Sequence, residues 1–426
     1  MRTGGFSMWR GKRILLLQGP LGPFFQRLGR DLEQAGAHVD KVNFNGGDWL
    51  FYPSGALSYR GRLSEWPDFL ERLLAEKEID ILLLFGDCRP MHLLAHDVAL
   101  RNGVEVRVFE EGYVRPDYVT LERWGVNGHS RIPRTPLVYL NAPPIETPAT
   151  RPVGNTFWHT ALWAVLYYLA AALLRWRFPR YEHHRPLTLR EGWPWVRSAW
   201  RKQVYRFRER GAQDALAGAW AGKYFLVPLQ VHNDAQVHVH SDFDSVEVFI
   251  EHVMHSFASH APAGTLLVIK HHPMDRGYHD RTALIRMLAR RFGIEGRVWY
   301  IHDQHLPTLL EHARGVVLVN STVGMSSLHH GTPTKVCGNA VYDMKGLTFQ
   351  GRLDDFWAAA PGQSVDRELY LRFRGYLIRH TQLNGSFYRR LKADGSHAGL
   401  LGSGPVDTVE DAGARSAAPG LPRKAS

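Results

Sequence analysis

Leu266-Leu267-Val268-Ile269 is a four-residue apolar run that stops at Lys270-His271-His272-Pro273. A run so short and so apolar suits a strand buried on both faces of a parallel sheet, and Pro273 cannot continue one. Val104 to Phe109 has the same character and gives way to Glu110-Glu111-Gly112. In open parallel sheets the residues just past the carboxyl ends of strands line the ligand crevice. Both motifs therefore stand where chemistry would need them. The plain structural alternatives are His272 as a helix cap and the two glutamates as a solvated loop.

Strand-like and helix-like segments alternate through most of the chain. The first half offers strands at Arg13 to Gln18, His38 to Asn43, Ile79 to Phe85 and Val104 to Phe109, with helices near Pro23 to Ala35, Glu65 to Glu76 and Met91 to Asn102. The second offers strands at Tyr224 to Leu229, Leu266 to Ile269, Val298 to Ile301, Gly315 to Val319 and Thr334 to Cys337. Its helices lie near Asp244 to His260, Asp280 to Arg291, Leu306 to His312 and Val323 to His330. Such alternation predicts an α/β protein with two doubly wound parallel sheets and an active site between them. The expected divisions are an N-terminal Rossmann-like domain over 1–150, a middle segment over 151–215, a C-terminal Rossmann-like domain over 216–392 and a disordered tail over 393–426.

With 44% hydrophobic and 22% charged residues, the 426-residue chain has material for two or three globular cores. From about Ala393 onward Gly, Ala, Ser and Pro dominate without apolar periodicity, the composition of a disordered tail. Cys88 and Cys337 are too far apart in sequence for a disulfide framework or a zinc knuckle and fit a reducing cytoplasm. The early apolar run, Ile14 to Leu17, is too short for a signal peptide.

The net charge of +11 is concentrated. Arg175 to Arg210 holds eleven Arg and Lys against three Glu, interleaved with Trp176, Trp193, Trp195 and Trp200, and follows the mostly apolar stretch Phe157 to Leu174. Indole rings prefer the headgroup layer, and each cation near an anionic surface contributes about 1 kcal/mol. The segment is therefore read as membrane-docking, with Trp176, Arg197, Arg201, Lys202 and Arg206 as its contact residues. A spanning helix, a nucleic-acid patch and a linker helix packed on the core compete with that reading. No nucleic-acid motif accompanies the patch, and nucleic acid is not an expected partner.

Asn320-Ser321-Thr322 follows one strand and opens a helix, so its hydroxyls and amides could cradle a phosphate, although Ser and Thr are also ordinary caps. Gln18-Gly19-Pro20-Leu21-Gly22-Pro23 is a strand-to-helix loop without dinucleotide spacing or a P-loop lysine. Asp242 and Asp244, with His238 and His240 nearby, invite a metal, but Asp at a helix start is more often a cap or dipole partner, and neither metal nor cofactor is expected.

Taken in order, Gln18-Gly-Pro-Leu-Gly-Pro-Phe-Phe, Asn43-Phe-Asn-Gly-Gly-Asp-Trp, Phe109-Glu-Glu-Gly-Tyr-Val-Arg-Pro-Asp, Pro228-Leu-Gln, Lys270-His-His-Pro-Met-Asp and Asn320-Ser-Thr-Val-Gly resemble the capsule polysaccharide biosynthesis proteins of Gram-negative bacteria. The resemblance runs from about Lys12 to Trp357 except in the middle segment, and is strongest to the S-type Kdo transferases of ABC-transporter-dependent capsules. It implies a GT-B-like fold and transfer of β-Kdo from CMP-Kdo to a phosphatidylglycerol-type lipid, with capsule assembly and export proteins as partners at the inner face of the inner membrane. Retention of configuration is implied as well, since donor and product are both β-linked.

The resemblance also assigns residues. Glu110, Glu111 and His272 are the catalytic candidates, the family often having Asp in the acidic motif. Lys270, Pro273, Asn320, Ser321, Thr322 and Gln230 are the donor-binding candidates, and Gln18, Gly19, Asn45, Asp48 and Arg115 the acceptor or loop candidates. A bond to CMP that breaks through an oxocarbenium-like state needs a carboxylate at the sugar and donors at the departing phosphate. A non-catalytic scaffold of the export machinery, a sialyltransferase and a nucleotide-sugar 2-epimerase are the alternatives.

Overall fold

The structure, a computed structural model, describes residues 6–181, 192–231, 241–392 and 395–402. Two compact units divide the chain. Unit 1 comprises Met1–Arg131, Ile145–Leu189 and Arg374–Ser426, and unit 2 comprises Ile132–Pro144 and Arg190–Phe373.

In chain order, β1 (Arg13–Leu16), α1 (Phe24–Gln34), β2 (His38–Asn43), α2 (Gly46–Phe51), β3 (Leu57–Ser58), α3 (Trp66–Glu76), β4 (Ile81–Phe85), α4 (Pro90–Arg101), β5 (Glu105–Glu111) and β6 (Tyr118–Arg123) come first. The middle of the chain is helical, with α5 (Pro136–Leu140), α6 (Phe157–Leu173), α7 (Gly192–Arg208) and α8 (Ala212–Ala217). Then follow β7 (Tyr224–Pro228), α9 (Val246–His260), β8 (Leu266–Lys270), α10 (Thr282–Arg291), β9 (Val298–Ile301), α11 (Leu306–His312), β10 (Gly315–Leu318), α12 (Val323–His329), β11 (Thr334–Val336), α13 (Leu353–Ala359), α14 (Arg367–His380) and β12 (Gln382–Asn384).

Unit 1 is built on a seven-stranded sheet of order β12-β6-β5-β4-β1-β2-β3. Its strands β1 to β5 are parallel, whereas β6 runs antiparallel to β5, and β12 to β6. Period-2 alternation splits the apolar runs between two cores. Leu15, Leu82, Leu84, Val106 and Val108 face Leu70 and Leu74 of α3 and Val98 of α4, while Ile14, Leu16, Leu83 and Phe109 face Phe24, Leu28 and Leu32 of α1. Unit 2 has a five-stranded, wholly parallel sheet of order β11-β10-β7-β8-β9. Phe225, Val227, Leu267, Ile269 and Val317 pack there against α9, α10 and α13. The expected α/β class with two doubly wound sheets holds. In each sheet the order reverses beside the first strand, between β1 and β4 and between β7 and β10, which is where such folds open a ligand crevice.

Several expectations need correction. Glu110 and Glu111 do not lie past the strand but within β5, paired with Thr120 and Val119 of β6, because the antiparallel partner supplies hydrogen bonds that lengthen the strand. The middle segment 151–215 is not a body of its own: α6 belongs to unit 1 and α7 to unit 2. Nor is unit 2 closed by residue 392, since the chain from Arg374 belongs to unit 1. The tail does not begin at 393, because Ala398 and Leu400 are buried in the unit 1 core and Leu401 bridges Asn384. The cap of α9 is Ser245, which accepts from Val248 N, rather than Asp244. Among the described residues no helix is long and apolar enough to cross a membrane. His238 and His240 lie outside the described residues.

Candidate active site

In unit 1 the candidate residues gather at the carboxyl edge of the sheet. Successive side chains of a strand point to opposite faces, so the carboxylates of Glu110 and Glu111 diverge. Glu111 shares a face with Phe109, and its Oε1 accepts from the hydroxyl of Tyr388 at 3.0 Å. Burial, with Glu111 alongside, pushes the Tyr388 phenol well above its usual range and keeps it a donor. Glu110 accepts from the Glu111 amide at 2.9 Å and lies beside Gly86, just past β4. The third member of the motif, Gly112, has no room for a side chain, since a Cβ there would run into the Tyr118 carbonyl. Arg115 is exposed, its Nε donating to Gly112 O at 3.2 Å.

Gln18, Asn45 and Asp48 are brought together and buried. Asn45 caps α2 by accepting from Gly47 N and Asp48 N, and its Nδ2 donates to the Tyr167 hydroxyl at 2.7 Å. Tyr167 donates to Asp48 Oδ1 at 3.0 Å and accepts from Gln18 Nε2 at 3.0 Å, while Gln18 Nε2 also reaches Tyr181. The Asn-Phe-Asn-Gly-Gly-Asp motif is thus a polar latch for α6. Close approach explains its glycines: Ala170 packs on Gly46, and the Tyr167 ring would meet a Cβ on Gly47 at 2.6 Å. Beside the latch lies a small recess lined by Gly19, Gly22, Gln26, Lys41, Tyr52 and Tyr167, among others. Lys41 was not visible as a candidate in the sequence, where it is one of many lysines. It is buried, donates to Val42 O at 2.5 Å, and is lowered by burial to about 8 although Asp48 nearby opposes the shift.

In unit 2, His272 caps a one-turn 3-10 helix, Pro273–Asp275, with Nδ1 accepting from Met274 N at 3.2 Å. The structural alternative for His272 is therefore real, and it has a chemical consequence. An accepting Nδ1 leaves the proton on Nε2, which makes that nitrogen a donor. Asp275, the last residue of the turn, is fully buried and paired with Arg281 at 2.7 Å, so the turn is anchored from beneath. Lys270 does not reach outward as a cation: its Nζ donates to His302 O at 2.9 Å and burial lowers its pKa. His302 in turn is held by Glu209, which accepts from its amide at 3.0 Å and its Nδ1 at 2.5 Å.

Gln230 and Asn320 follow β7 and β10, the two strands that flank the order reversal, and Gln230 Nε2 donates to Asn320 Oδ1 at 3.1 Å. Ser321 Oγ accepts from Val323 N, Ser321 O from Gly324 N and Thr322 O from Met325 N. The amides of the first turn of α12 are thus engaged, and an anion would meet the Ser321 and Thr322 hydroxyls rather than the amide cradle expected. Pro273 is exposed.

The membrane candidates separate. Trp176, Lys202 and Arg206 are exposed. Arg197 donates to Gly277 O at 2.5 Å and Tyr278 O at 3.2 Å, and Arg201 donates to Arg276 O at 2.9 Å, so these two arginines fasten α7 to unit 2. Among the described residues one trio of metal-capable side chains lies together, Asp87, Cys88 and His129. Asp87 accepts there from Val126 N, His129 Nδ1 and Cys88 Sγ, which ties the loop after β4 to the turn after β6.

Residues 80–388 match the family described as capsule polysaccharide biosynthesis protein. The chain is 42% identical over 380 residues to the capsule polysaccharide export protein KpsS of Escherichia coli, covering 89% of this chain and 97% of that one. It is 41% identical over 389 residues to the capsule polysaccharide modification protein LipB of Neisseria meningitidis serogroup A, covering 89% and 92%. Among solved structures it is similar to the β-Kdo 2,7 transferase KpsC of Thermosulfurimonas dismutans, at 17% identity and a TM-score of 0.44 over 90% of this chain and 94% of that chain, a likeness too loose to transfer an activity.

Proposed function

We propose, from the premise that this chain belongs to the capsule polysaccharide biosynthesis protein family, that it is a glycosyltransferase. In this reading it moves β-Kdo from CMP-Kdo to a phosphatidylglycerol-type lipid and so begins the Kdo linker of a capsule chain, beside the proteins that assemble and export the polymer. The observation that carries the reading is the carboxyl edge of the unit 2 sheet. There the Gln230–Asn320 pair, the Ser321 and Thr322 hydroxyls and the donor Nε2–H of His272 follow three adjacent strands at the order reversal.

Those groups suit a nucleotide phosphate. As the bond from the Kdo anomeric carbon to the phosphate oxygen breaks, negative charge grows on CMP, and hydrogen-bond donors already in place stabilise it without reorganisation. His272 Nε2–H and the two hydroxyls take that role, and Lys270 holds the strand end instead of the phosphate. The electron-poor sugar needs a carboxylate, and the acceptor hydroxyl must lose a proton. We assign the carboxylate to Glu110, which lies beside Gly86 at the end of β4, a strand that flanks the order reversal of the unit 1 sheet.

A non-catalytic scaffold is the second reading, favoured by the capping role of His272. One experiment separates the two. The purified protein is offered CMP-Kdo, CMP-sialic acid and UDP-sugars with a phosphatidylglycerol acceptor, and products are read by mass spectrometry. A Kdo-lipid product from CMP-Kdo is expected. Consumption of a UDP-sugar alone, or of no donor, sinks the proposal.

A further inference from the structure

Large apolar side chains on helices normally turn inward, yet α6 shows them outside. Trp158, Leu162, Val165, Leu169 and Leu173 are exposed, Trp158 by 77%. Their spacing of three and four residues makes one stripe. Ala164, Tyr167, Ala170 and Ala171 form the buried face against unit 1, about half a turn away. The stripe is therefore not an unfinished core. The helix is already anchored through the Tyr167 latch, and the second apolar face is surplus to folding.

Helix α7 repeats the arrangement in unit 2. Trp193, Val196, Trp200 and Phe207 are exposed along one side, with exposed Lys202 and Arg206 flanking them, whereas Arg197 and Arg201 point inward to backbone carbonyls. At the end of α6 the exposed Trp176 and Arg175 continue the same chemistry. A stripe of indoles and aliphatic chains bordered by cations, and by no described acidic residue of α6 or α7, complements one kind of surface: apolar just below, anionic at the top. A 17-residue helix is about 25 Å long, short of the roughly 30 Å hydrocarbon core, and one whole face of α6 is packed, so it lies on a bilayer and does not cross it.

We infer that the outer stripes of α6 and α7 are bilayer-contact surfaces, one in each unit, for an anionic phospholipid membrane. This relocates docking from Arg197 and Arg201 to the Trp158–Leu173 and Trp193–Phe207 stripes. It deepens the lipid-acceptor reading and rests on it only for its consequence in catalysis.

Flotation of the full-length protein with phosphatidylcholine vesicles, with and without phosphatidylglycerol, tests the inference without any donor sugar. Binding should need the anionic lipid and weaken as salt rises from about 0.1 to 1 M, which shortens the screening length from about 10 to 3 Å. Two triple variants, Trp158→Ser/Leu162→Ser/Leu169→Ser and Trp193→Ser/Trp200→Ser/Phe207→Ser, should each bind roughly tenfold more weakly at unchanged melting temperature. Lys202→Ser/Arg206→Ser should flatten the salt dependence. In the wild-type chain, brominated acyl chains should quench indole fluorescence, a readout independent of how any variant folds. Absence of flotation and quenching overturns the inference. So does equal binding to neutral vesicles, or stripe variants that change only self-association. If vesicles bind but no lipid is glycosylated, the transferase reading fails and docking stands. If a soluble acceptor is glycosylated but vesicles do not bind, the reverse holds.

Discussion

Tyr167→Phe deletes one oxygen atom and tests the latch that fixes α6 to unit 1. The hydroxyl donates to the Asp48 carboxylate at 3.0 Å and accepts from Gln18 at 3.0 Å and Asn45 at 2.7 Å, all in buried surroundings. A hydrogen bond to a charged group contributes about 1.5–3 kcal/mol and a neutral one about 1. Gln18 keeps Tyr181 at 3.0 Å and Asp48 keeps the Phe44 amide at 3.0 Å, so the losses are partial and sum to about 3 kcal/mol. For a unit of this size that is a fall of roughly 6–12 °C in melting temperature. Hydrogen exchange of the α6 peptide should quicken by roughly 100-fold at neutral pH if the helix opens locally. Exchange within threefold of wild type, together with an unmoved melting temperature, would show that the hydroxyl bonds are incidental and that packing of Ala164, Ala170 and Ala171 alone holds the helix.

Arg281→Met removes the 2.7 Å ion-pair partner of the fully buried Asp275 beneath the His272 turn, leaving His279 at 3.3 Å, and should cost about 3 kcal/mol in unit 2, read by urea unfolding; a cost below about 1 kcal/mol would show that the remaining partners hold the carboxylate. Burial holds His92 and His271 down to about 3, against about 6.5 in an unfolded chain. Both therefore stay neutral when folded and gain protons on unfolding, so their contribution is whole above pH 6.5 and drains as pH falls from there toward 3. Stability should fall between about pH 6 and 5, His96 and His252 being lowered by burial as well, and His92→Gln should lessen the slope by about one proton; a flat profile, or a slope unmoved by His92→Gln, would contradict it.

The parallel strands of both sheets were legible because buried strands read as uninterrupted apolar runs, such as Ile81–Phe85 and Leu266–Lys270. The antiparallel additions were not. Tyr118–Arg123 mixes charge with apolar residues, and Gln382–Asn384 is three residues long, meeting β6 from the far end of the chain. The same blindness placed Glu110 and Glu111 in a loop, since nothing local announces a partner strand. In the middle segment composition is continuous while burial is not. Tyr167, Arg197 and Arg201 look like their neighbours in sequence, and only the tertiary partners separate inner from outer face. The motif residues proved a mixed set: Asn45 and Asp48 build a latch, Lys270 a strand end, and His272 a cap whose tautomer leaves a donor.

The central claim is that the chain transfers Kdo from CMP-Kdo and that Glu110 and His272 each serve that transfer. Transfer of Kdo from CMP-Kdo to phosphatidylglycerol, measured beside CMP affinity, tests it in the wild type and in Glu110→Gln, Glu111→Gln and His272→Ala. Glu110→Gln should lose about 10²–10⁴-fold in turnover with CMP affinity unchanged, the range expected of general acid–base work. His272→Ala should lose both activity and CMP affinity, while Glu111→Gln should lose less than Glu110→Gln. Near wild-type turnover in Glu110→Gln, with CMP binding untouched in His272→Ala, would contradict the account and leave both motifs as parts of the scaffold.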